Sequence, residues 1–502
     1  VGLCRDAAPV AAAVPRDRLG ELATAWAGDE VLARLRLVAA EPDTGAKPDT
    51  GAGRDTGADL VTGGGRDAGA GSGVVPLQAP APVPGDAVAF LQYTSGSTAV
   101  PRGVMITHEA LLANQRTVRD HFGISPRTTI VSWLPTYHDM GLCLGLLQPA
   151  HTGASGIVLE PETFVLRPER WLRAISGLPE VMSAAPDFGY TWCVRRVRES
   201  AKAALDLRGW RVAVNGAEPV RADTLRAFHA AFAGCGLPET TLTPSYGLAE
   251  ATLFVAGGTG ERAAVIRRYD RAALSQGVAA PAEQSGPAEQ SGADGTVEAV
   301  GCGRPGPEVE LAVVDPETGL RRAERSVGEL WVRSPGNGIG YWGQPGAGVE
   351  TFGAMLDGDP RPWLRTGDLG FVDRGELYVT GRLKDMIVIH GANYYPQDFE
   401  QLAQQAHPAL AGELAAAVLD ESAQRVTVVV ETGERTDGGL IAAAEAAVAA
   451  VTAELPVTTA VALVPRGRLP RTTSGKAQRQ ECGRRLRDGR LTVLAEWPGG
   501  GL

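Results

Sequence analysis

Between residues 88 and 234 the apolar pattern switches repeatedly between two periods, and this switching constrains the fold more than any other feature. Short β-rich runs at 88–93, 129–134, 181–184 and 212–215 alternate with stretches of helical apolar spacing at 109–121, 168–176, 187–204 and 222–234. A strand repeats every second residue and a helix about every 3.6, so each switch marks a new element. Strands alternating with helices build parallel sheets covered by helices. After Val297 the texture changes to hairpin-like strands at 309–314, 328–332, 370–372 and 377–379, the last two around Asp373-Arg374-Gly375. From Arg382 a helix (397–405), two strands (415–419, 426–430) and a further helix (439–453) provide apolar material for a separate core. The expected architecture is α/β. A large domain over 1–381, with layered α/β sheets and a β-rich subdomain at about 297–381, is followed by a small α+β domain over 382–502 on a hinge.

Composition narrows the function. With 48 basic and 58 acidic residues the net charge is −10, which argues against nucleic acid or an anionic membrane as partner. The six cysteines form no CxxC pair, a poor pattern for zinc or a disulfide framework, so a reducing compartment is expected. No apolar run approaches the roughly 18 residues needed to span a bilayer, and Val1 opens the chain without a signal-peptide pattern. A cytoplasmic globular protein is the expectation. Leu19, Leu22, Trp26, Val31, Leu32, Leu35 and Leu37 carry helical spacing near the start. Residues 41–84 repeat an Asp-Thr-Gly-Ala phrase and read as a flexible insertion, and 281–295 repeat Pro-Ala-Glu-Gln-Ser-Gly.

Six Gly-bearing turns carry the chemistry. In the first, the apolar run Leu91-Gln-Tyr enters Thr94-Ser95-Gly96-Ser97-Thr98-Ala99-Val-Pro-Arg102-Gly-Val, and a helix signal follows from Thr107. Hydroxyls and free backbone N–H groups on such a loop are donors for phosphate oxygens. The GxxxxGK[ST] pattern is absent, and taken alone the segment is equally a Ser/Thr-rich turn. Asn215-Gly216-Ala217-Glu218, Pro244-Ser-Tyr246-Gly247-Leu-Ala-Glu250-Ala-Thr, Arg365-Thr-Gly-Asp368-Leu-Gly, Gly381-Arg382-Leu-Lys384-Asp and Pro470-Arg-Thr-Thr-Ser-Gly-Lys476 follow in order. Each sets a glycine beside an acid, an aromatic or a base.

From about Val88 to Glu496 the six motifs, in this order, resemble the adenylate-forming enzymes: acyl-CoA synthetases, luciferases and adenylation domains of peptide synthetases. The phrases Ser132-Trp-Leu-Pro-Thr-Tyr-His138-Asp-Met-Gly-Leu, Ala185-Pro-Asp-Phe-Gly-Tyr190 and His390-Gly-Ala-Asn-Tyr-Tyr-Pro-Gln-Asp-Phe-Glu400 most resemble the fatty acyl-AMP ligases. The resemblance implies ATP and Mg²⁺ as cofactors and a fatty acid as substrate. It further implies transfer of the acyl group to an acyl carrier protein feeding a polyketide or peptide synthase. It assigns Thr94, Ser95, Gly96, Ser97, Thr98 and Arg102 to the β- and γ-phosphates, Tyr246 with Gly216 and Ala217 to the adenine, and Glu218 and Gly247 to the nucleotide more generally. Glu250 is assigned to Mg²⁺, Asp368 to the ribose diol, and Arg382 to the sugar or α-phosphate. Lys476 is the catalytic cation bridging carboxylate and α-phosphate, His138 lies beside the acyl-adenylate, and Lys384 is the hinge. Without the resemblance Tyr246 reads as a core tyrosine, Lys476 as a solvated lysine, and His138 as a histidine satisfied by Asp139.

Two positions depart from the commoner pattern: Ala99 replaces a frequent glycine and Arg102 a frequent lysine, which predicts altered nucleotide affinity. The stretch from Glu350 to Trp363 is longer than expected of a CoA ligase, and Phe352 and Trp363 are expected to anchor it against the small domain. The chain also starts at a point resembling the middle of the family's first subdomain. Trp133, Met140, Leu142, Leu144 and Trp192 offer apolar surface for an acyl chain, but such faces commonly belong to the core. The alternatives are an acyl-CoA synthetase and a non-catalytic adenylate-binding module. A hydrolase with a GxSxG elbow is excluded by the absence of that motif.

Overall fold

The computed structural model describes residues 82–94, 101–282, 295–420, 423–472 and 475–498, and the backbone of two short strands near the start. The chain forms two compact units, 1–87 and 88–502. In the first, β1 (Ala11–Pro15) and β2 (Arg36–Ala40) pair in parallel. Leu37 therefore stands in a strand and not on a helix: its run Arg-Leu-Val-Ala-Ala pairs residue by residue with 11–15. The remainder of the helical spacing, Leu19 to Leu35, and most of both repeat regions lie outside the described residues.

The second unit opens with a hairpin, β3 (Val88–Thr94) against β4 (Arg102–Thr107), whose mouth brings Thr94 opposite Arg102. Thr107 then caps the helix His108–Phe122, its hydroxyl accepting the Ala110 amide at 3.1 Å. Gly123, in the left-handed region at φ 65°, ends that helix.

The expected parallel layer is present. β5 (Thr129–Ser132), β6 (Ser155–Val158), β7 (Val181–Ala185), β8 (Trp210–Asn215) and β9 (Leu242–Gly247) run parallel in the spatial order β6-β5-β7-β8-β9. β10 (Phe254–Gly257) and, after the pair β11 (Ile266–Asp270) and β12 (Thr296–Val300), β13 (Arg304–Pro305) extend this sheet antiparallel. Its core is aromatic: Trp171, Trp210, Tyr190, Phe228 and Phe164 are fully buried, and Trp133 stacks on Phe164 at 3.8 Å. The helix expected over 187–204 is broken into Asp187–Arg196 and Glu199–Lys202. Val197 leaves helical backbone (φ −79°, ψ 116°) and buries its side chain in this core.

β14 (Glu310–Val314), β15 (Gly328–Arg333), β16 (Ala354–Met355), β17 (Pro362–Asp373) and β18 (Glu376–Arg382) form the β-rich layer. Here the aromatic anchors of the 350–363 stretch point elsewhere than expected. The stretch turns back as a hairpin, with Ala354 paired to Trp363, so β17 alternation drives Trp363 into the layer's own interior. There Trp363 is 1% exposed, packed with Val314, Trp331 and Leu356, and the Arg333 guanidinium lies 4.4 Å from its ring. Phe352 meets Tyr341 edge-on at 5.3 Å.

Beyond β18, a hairpin of β19 (Ile387–Ile389) and β20 (Ala392–Tyr394) precedes a sheet of β21 (Ala415–Asp420), β22 (Arg425–Thr432), β23 (Thr459–Pro465) and β24 (Ala495–Trp497). Strand alternation divides it into two faces. Ala415, Ala417, Val428, Val430 and Val461 pack beneath the helices Pro396–Gln405 and Asp437–Glu454, whereas Ala416, Val429 and Ala462 pack on Leu469, Cys482 and Leu486. A 1% exposed tryptophan with a full set of apolar neighbours is a stability determinant. Trp363→Ala should therefore cost about 3–5 kcal/mol, read as a lower urea midpoint for the large unit; an unchanged midpoint would contradict this packing.

Candidate active site

In parallel α/β sheets, ligands bind outside the carboxyl ends of the strands, where the connecting loops diverge. The motifs fall at those ends. His138 and Asp139 follow β5, Asp187 follows β7, Gly216–Glu218 follow β8, and Tyr246 and Gly247 end β9. Two glycines are required by close packing: a Cβ at Gly216 would lie 2.7 Å from Ser245 O, and one at Gly247 would lie 1.8 Å from Leu253 O. Between His138-Asp139 and the next strand runs a π-helix, Met140–Leu147, a rare geometry that is frequent at functional sites. Gly141 and Gly145 let it lie on the 132–135 segment, since a Cβ at either would collide with Pro135 O or Ser132 Oγ.

One cleft is lined by Thr94, Arg102, His138, Ala217, Glu218, Tyr246, Gly247, Glu250, Asp368, Arg382, Lys384 and Lys476. Gly216 lies just behind it, on an apolar recess walled by Val118, Phe122, Met140, Leu144, Val214, Leu253 and Phe254. Of the apolar candidates from the sequence, Met140 and Leu144 line that recess, whereas Trp133 is a core residue. Ser95, Gly96, Ser97 and Thr98 lie outside the described residues.

On one wall, Tyr246 donates its hydroxyl to Asp368 Oδ2 at 2.8 Å, and Arg382 Nε lies 3.3 Å from Asp368 Oδ1. Burial lifts the Asp368 carboxyl above its usual range, against the Arg382 charge and the Tyr246 hydrogen bond. Asp368 is aimed by a residue the sequence did not single out. Buried Glu329 accepts from Arg365 Nη2 at 2.7 Å, Trp331 Nε1 at 3.0 Å and the Gly367 amide at 3.1 Å, fixing the turn that carries Asp368. The only signal for it was a glutamate inside an otherwise apolar run, Gly328-Glu-Leu-Trp-Val. Glu250 accepts from Tyr341 Oη at 2.9 Å, and burial lifts its carboxyl too, the Tyr341 bond opposing.

The opposite wall meets the small sheet's loop. Lys476 Nζ donates to the Ala217 carbonyl, and Ala217 sits in the left-handed region at φ 65°. Glu218 accepts from the Phe188 amide at 2.7 Å. In return Asp187, at the start of the same helix, accepts from Asn215 Nδ2 at 3.0 Å, the Arg221 amide at 3.2 Å and Thr224 Oγ1 at 2.7 Å. Two carboxylates thus tie the loop and the helix to each other. Burial draws the Lys476 ammonium below the usual lysine range, while Glu218, Asp139 and Asp368 pull it up. Burial lifts Glu218, with the Phe188 amide and Lys476 opposing. His138 Nδ1 lies 2.6 Å from Asp139 Oδ1; for Asp139 burial is outweighed by the His138 hydrogen bond and charge, so its carboxyl sits low. Lys384 is exposed, in the turn Leu383–Asp385.

A family model described as AMP-binding enzyme matches residues 7–342, more than half of the chain. The chain belongs to the AMP-binding enzymes. Among its relatives is the medium-chain-fatty-acid–[acyl-carrier-protein] ligase JamA of Moorena producens, 38% identical over 413 residues, 81% of this chain and 69% of that protein. Another is the long-chain-fatty-acid–AMP ligase FadD26 of Mycobacterium marinum, 37% identical over 433 residues, 81% of this chain and 71% of that protein. A chain solved in studies of fatty acyl-adenylate ligases from E. coli and L. pneumophila superposes with a TM-score of 0.80 at 32% identity, covering 97% of this chain and 81% of that one.

In this AMP-binding enzyme the cleft also holds Asp398, on the helix Pro396–Gln405. Burial lifts its carboxyl to about 6, with Arg271 opposing and Glu400 adding. Between the ordinary value of about 4 and this one, the folded chain keeps a proton that the unfolded chain has lost. Stability from this group therefore falls as pH rises through that window and stays lower above it. Asp398→Asn should gain thermal stability relative to the parent between about pH 4 and about pH 7. Melting curves whose offset is the same at both pH values would contradict this.

Proposed function

We propose that this enzyme activates a fatty acid with ATP, forming acyl-adenylate and pyrophosphate. It then passes the acyl group to the phosphopantetheine thiol of an acyl carrier protein serving polyketide or lipopeptide synthesis. The observation that carries this reading is Lys476. It reaches from the loop after β23 to the Ala217 carbonyl, between the Glu218 and Asp368 walls of a cleft lined by all of the described residues assigned to the site except Gly216. A cation held there meets the place where negative charge would move from carboxylate to phosphate, and preorganised donors of this kind lower such barriers.

In the first step a carboxylate oxygen of the fatty acid bonds to the α-phosphorus as the bond from that phosphorus to the α,β-bridging oxygen breaks, and pyrophosphate leaves. Tyr246 offers a face to adenine, with Gly216 and Ala217 beside it, and Asp368 accepts from the ribose hydroxyls. Thr94–Thr98 and Arg102 hold the outer phosphates, and Arg382 lies between sugar and α-phosphate. His138, beside Asp139, lies next to the acyl-adenylate. In the second step the thiol sulfur bonds to the acyl carbon, its proton is released, and AMP leaves. Lys384 is the pivot about which 382–502 would turn to admit that thiol, and the segments 1–381 and 382–502 are the two moving parts.

No three acidic, histidine or cysteine side chains among the described residues are grouped to hold a metal. A single carboxylate, Glu250, on the cleft wall suits Mg²⁺ that arrives with the nucleotide, since that ion takes most of its oxygens from phosphate and water. Bound there, Mg²⁺ would neutralise phosphate charge. ATP use and a carrier-protein acceptor both fit a cytoplasmic enzyme.

Pyrophosphate release should require fatty acid, ATP and Mg²⁺ together; release independent of added carboxylate would overturn the reading. Lys476→Ala should slow adenylate formation by roughly 10²–10³ while sparing transfer from preformed acyl-AMP, and equal loss in both halves would instead mark a structural lysine. Because burial lowers the Lys476 ammonium, its charge is lost at lower pH than for an ordinary lysine. The alkaline limb of adenylation should begin below about 10.4, and Lys476→Arg should move that limb upward. A limb unmoved by the substitution would contradict this.

A further inference from the structure

Tyr341 belongs to none of the motifs, yet it touches two of their residues at once. It is 5% exposed, its hydroxyl donates to Glu250 Oε1 at 2.9 Å, and the Arg102 guanidinium carbon lies 5.3 Å from its ring centre. Its position is braced from both sides. The Trp342 amide donates to Gly103 O at 2.8 Å and the Met105 amide to Gly340 O at 2.9 Å, so residues 340–342 run as an extra strand along β4. The Gly338 amide donates to Glu250 O at 2.8 Å, which fixes the glutamate's backbone to the same segment. Phe352 closes the ring's far edge at 5.3 Å. The pairing fixes where the side chain leaves the backbone, and burial against Phe352 holds the ring between its two partners.

We infer that Tyr341 is a positioning residue that couples the metal and phosphate sides of the cleft. Its hydroxyl holds one Glu250 oxygen so that the other faces the bound nucleotide, and its ring seats Arg102 over the outer phosphates. The inference rests on the proposed adenylation reading. It also gives a physical role to the arginine at 102. A planar guanidinium stacks on an aromatic face better than an ammonium does, so Tyr341 and Arg102 work as a pair. A carboxylate that loses its tyrosine donor has more freedom to take other rotamers, and a hydrogen bond to a charged group is of a strength that alters binding by about tenfold.

The test separates the hydroxyl from the ring in the intact chain. Tyr341→Phe should raise the Mg²⁺ concentration for half-maximal pyrophosphate release by about tenfold and leave the KM for fatty acid and inhibition by pyrophosphate unchanged. Tyr341→Leu should in addition weaken inhibition by pyrophosphate, as should Arg102→Lys with the parental Mg²⁺ dependence. A readout independent of turnover is equilibrium binding of Mn²⁺–ATP, followed by water-proton relaxation, against binding of metal-free AMP. Tyr341→Phe should weaken the first and leave the second unchanged. A Phe variant that matches the parent in Mn²⁺–ATP binding, or one that loses Mn²⁺–ATP and AMP equally, would overturn the inference. Failure of the parent to release pyrophosphate in response to fatty acid would instead count against the adenylation reading, and the Mn²⁺–ATP comparison would still decide the role of Tyr341.

Discussion

The arrangement depends on placing one ammonium, that of Lys476, deep in a cleft where Glu218, Asp139 and Asp368 face it and Arg382 opposes it. Taking a charge out of water costs several kcal/mol even after relaxation. Glu218, Asp139 and Asp368 offset that cost by their charge, and the Ala217 carbonyl accepts a hydrogen bond from the ammonium. Conversely the acids, themselves raised by burial in the case of Glu218 and Asp368, gain from the lysine. Neither side is well satisfied alone. The contact between the 382–502 segment and the parallel sheet is thus an electrostatic closure, and a polyanionic nucleotide entering it would find Arg102, Arg382 and Lys476 already in position.

That closure requires loops held to within a fraction of an ångström. Asp187 and Glu218 tie the β8 loop and the helix after β7 to each other, Glu329 fixes the Asp368 turn, and Gly216 and Gly247 allow backbone approach that any side chain would block. The site residues project from strand ends and turns, while rigidity comes from buried carboxylates one step behind them.

Much of this was readable in the sequence because it depended on local pattern. Period switching located β3, β5, β7 and β8, and Thr107 marked a helix start that the structure realises with a side-chain cap. The assigned site residues stood out by residue type, and those described, Gly216 excepted, share one cleft. What escaped depended on long-range pairing. Tyr341 was not singled out in the sequence, and only its alignment along β4 brings it to Glu250 and Arg102. Trp363 was expected to reach the small domain, but the hairpin through Ala354 sets its face inward. Leu37 fell at helical spacing by coincidence, and Val197 broke a continuous helical pattern because burial outweighed helix continuation.

The central claim is that a fatty acid oxygen attacks the α-phosphorus of ATP in this cleft. Fatty acid labelled with ¹⁸O in both carboxyl oxygens, supplied with ATP, Mg²⁺ and a phosphopantetheinylated carrier protein, tests it directly through the mass of the AMP released. Attack at the α-phosphorus leaves one ¹⁸O on AMP after the thiol takes the acyl group. Unlabelled AMP, or label appearing in inorganic phosphate, would contradict the account.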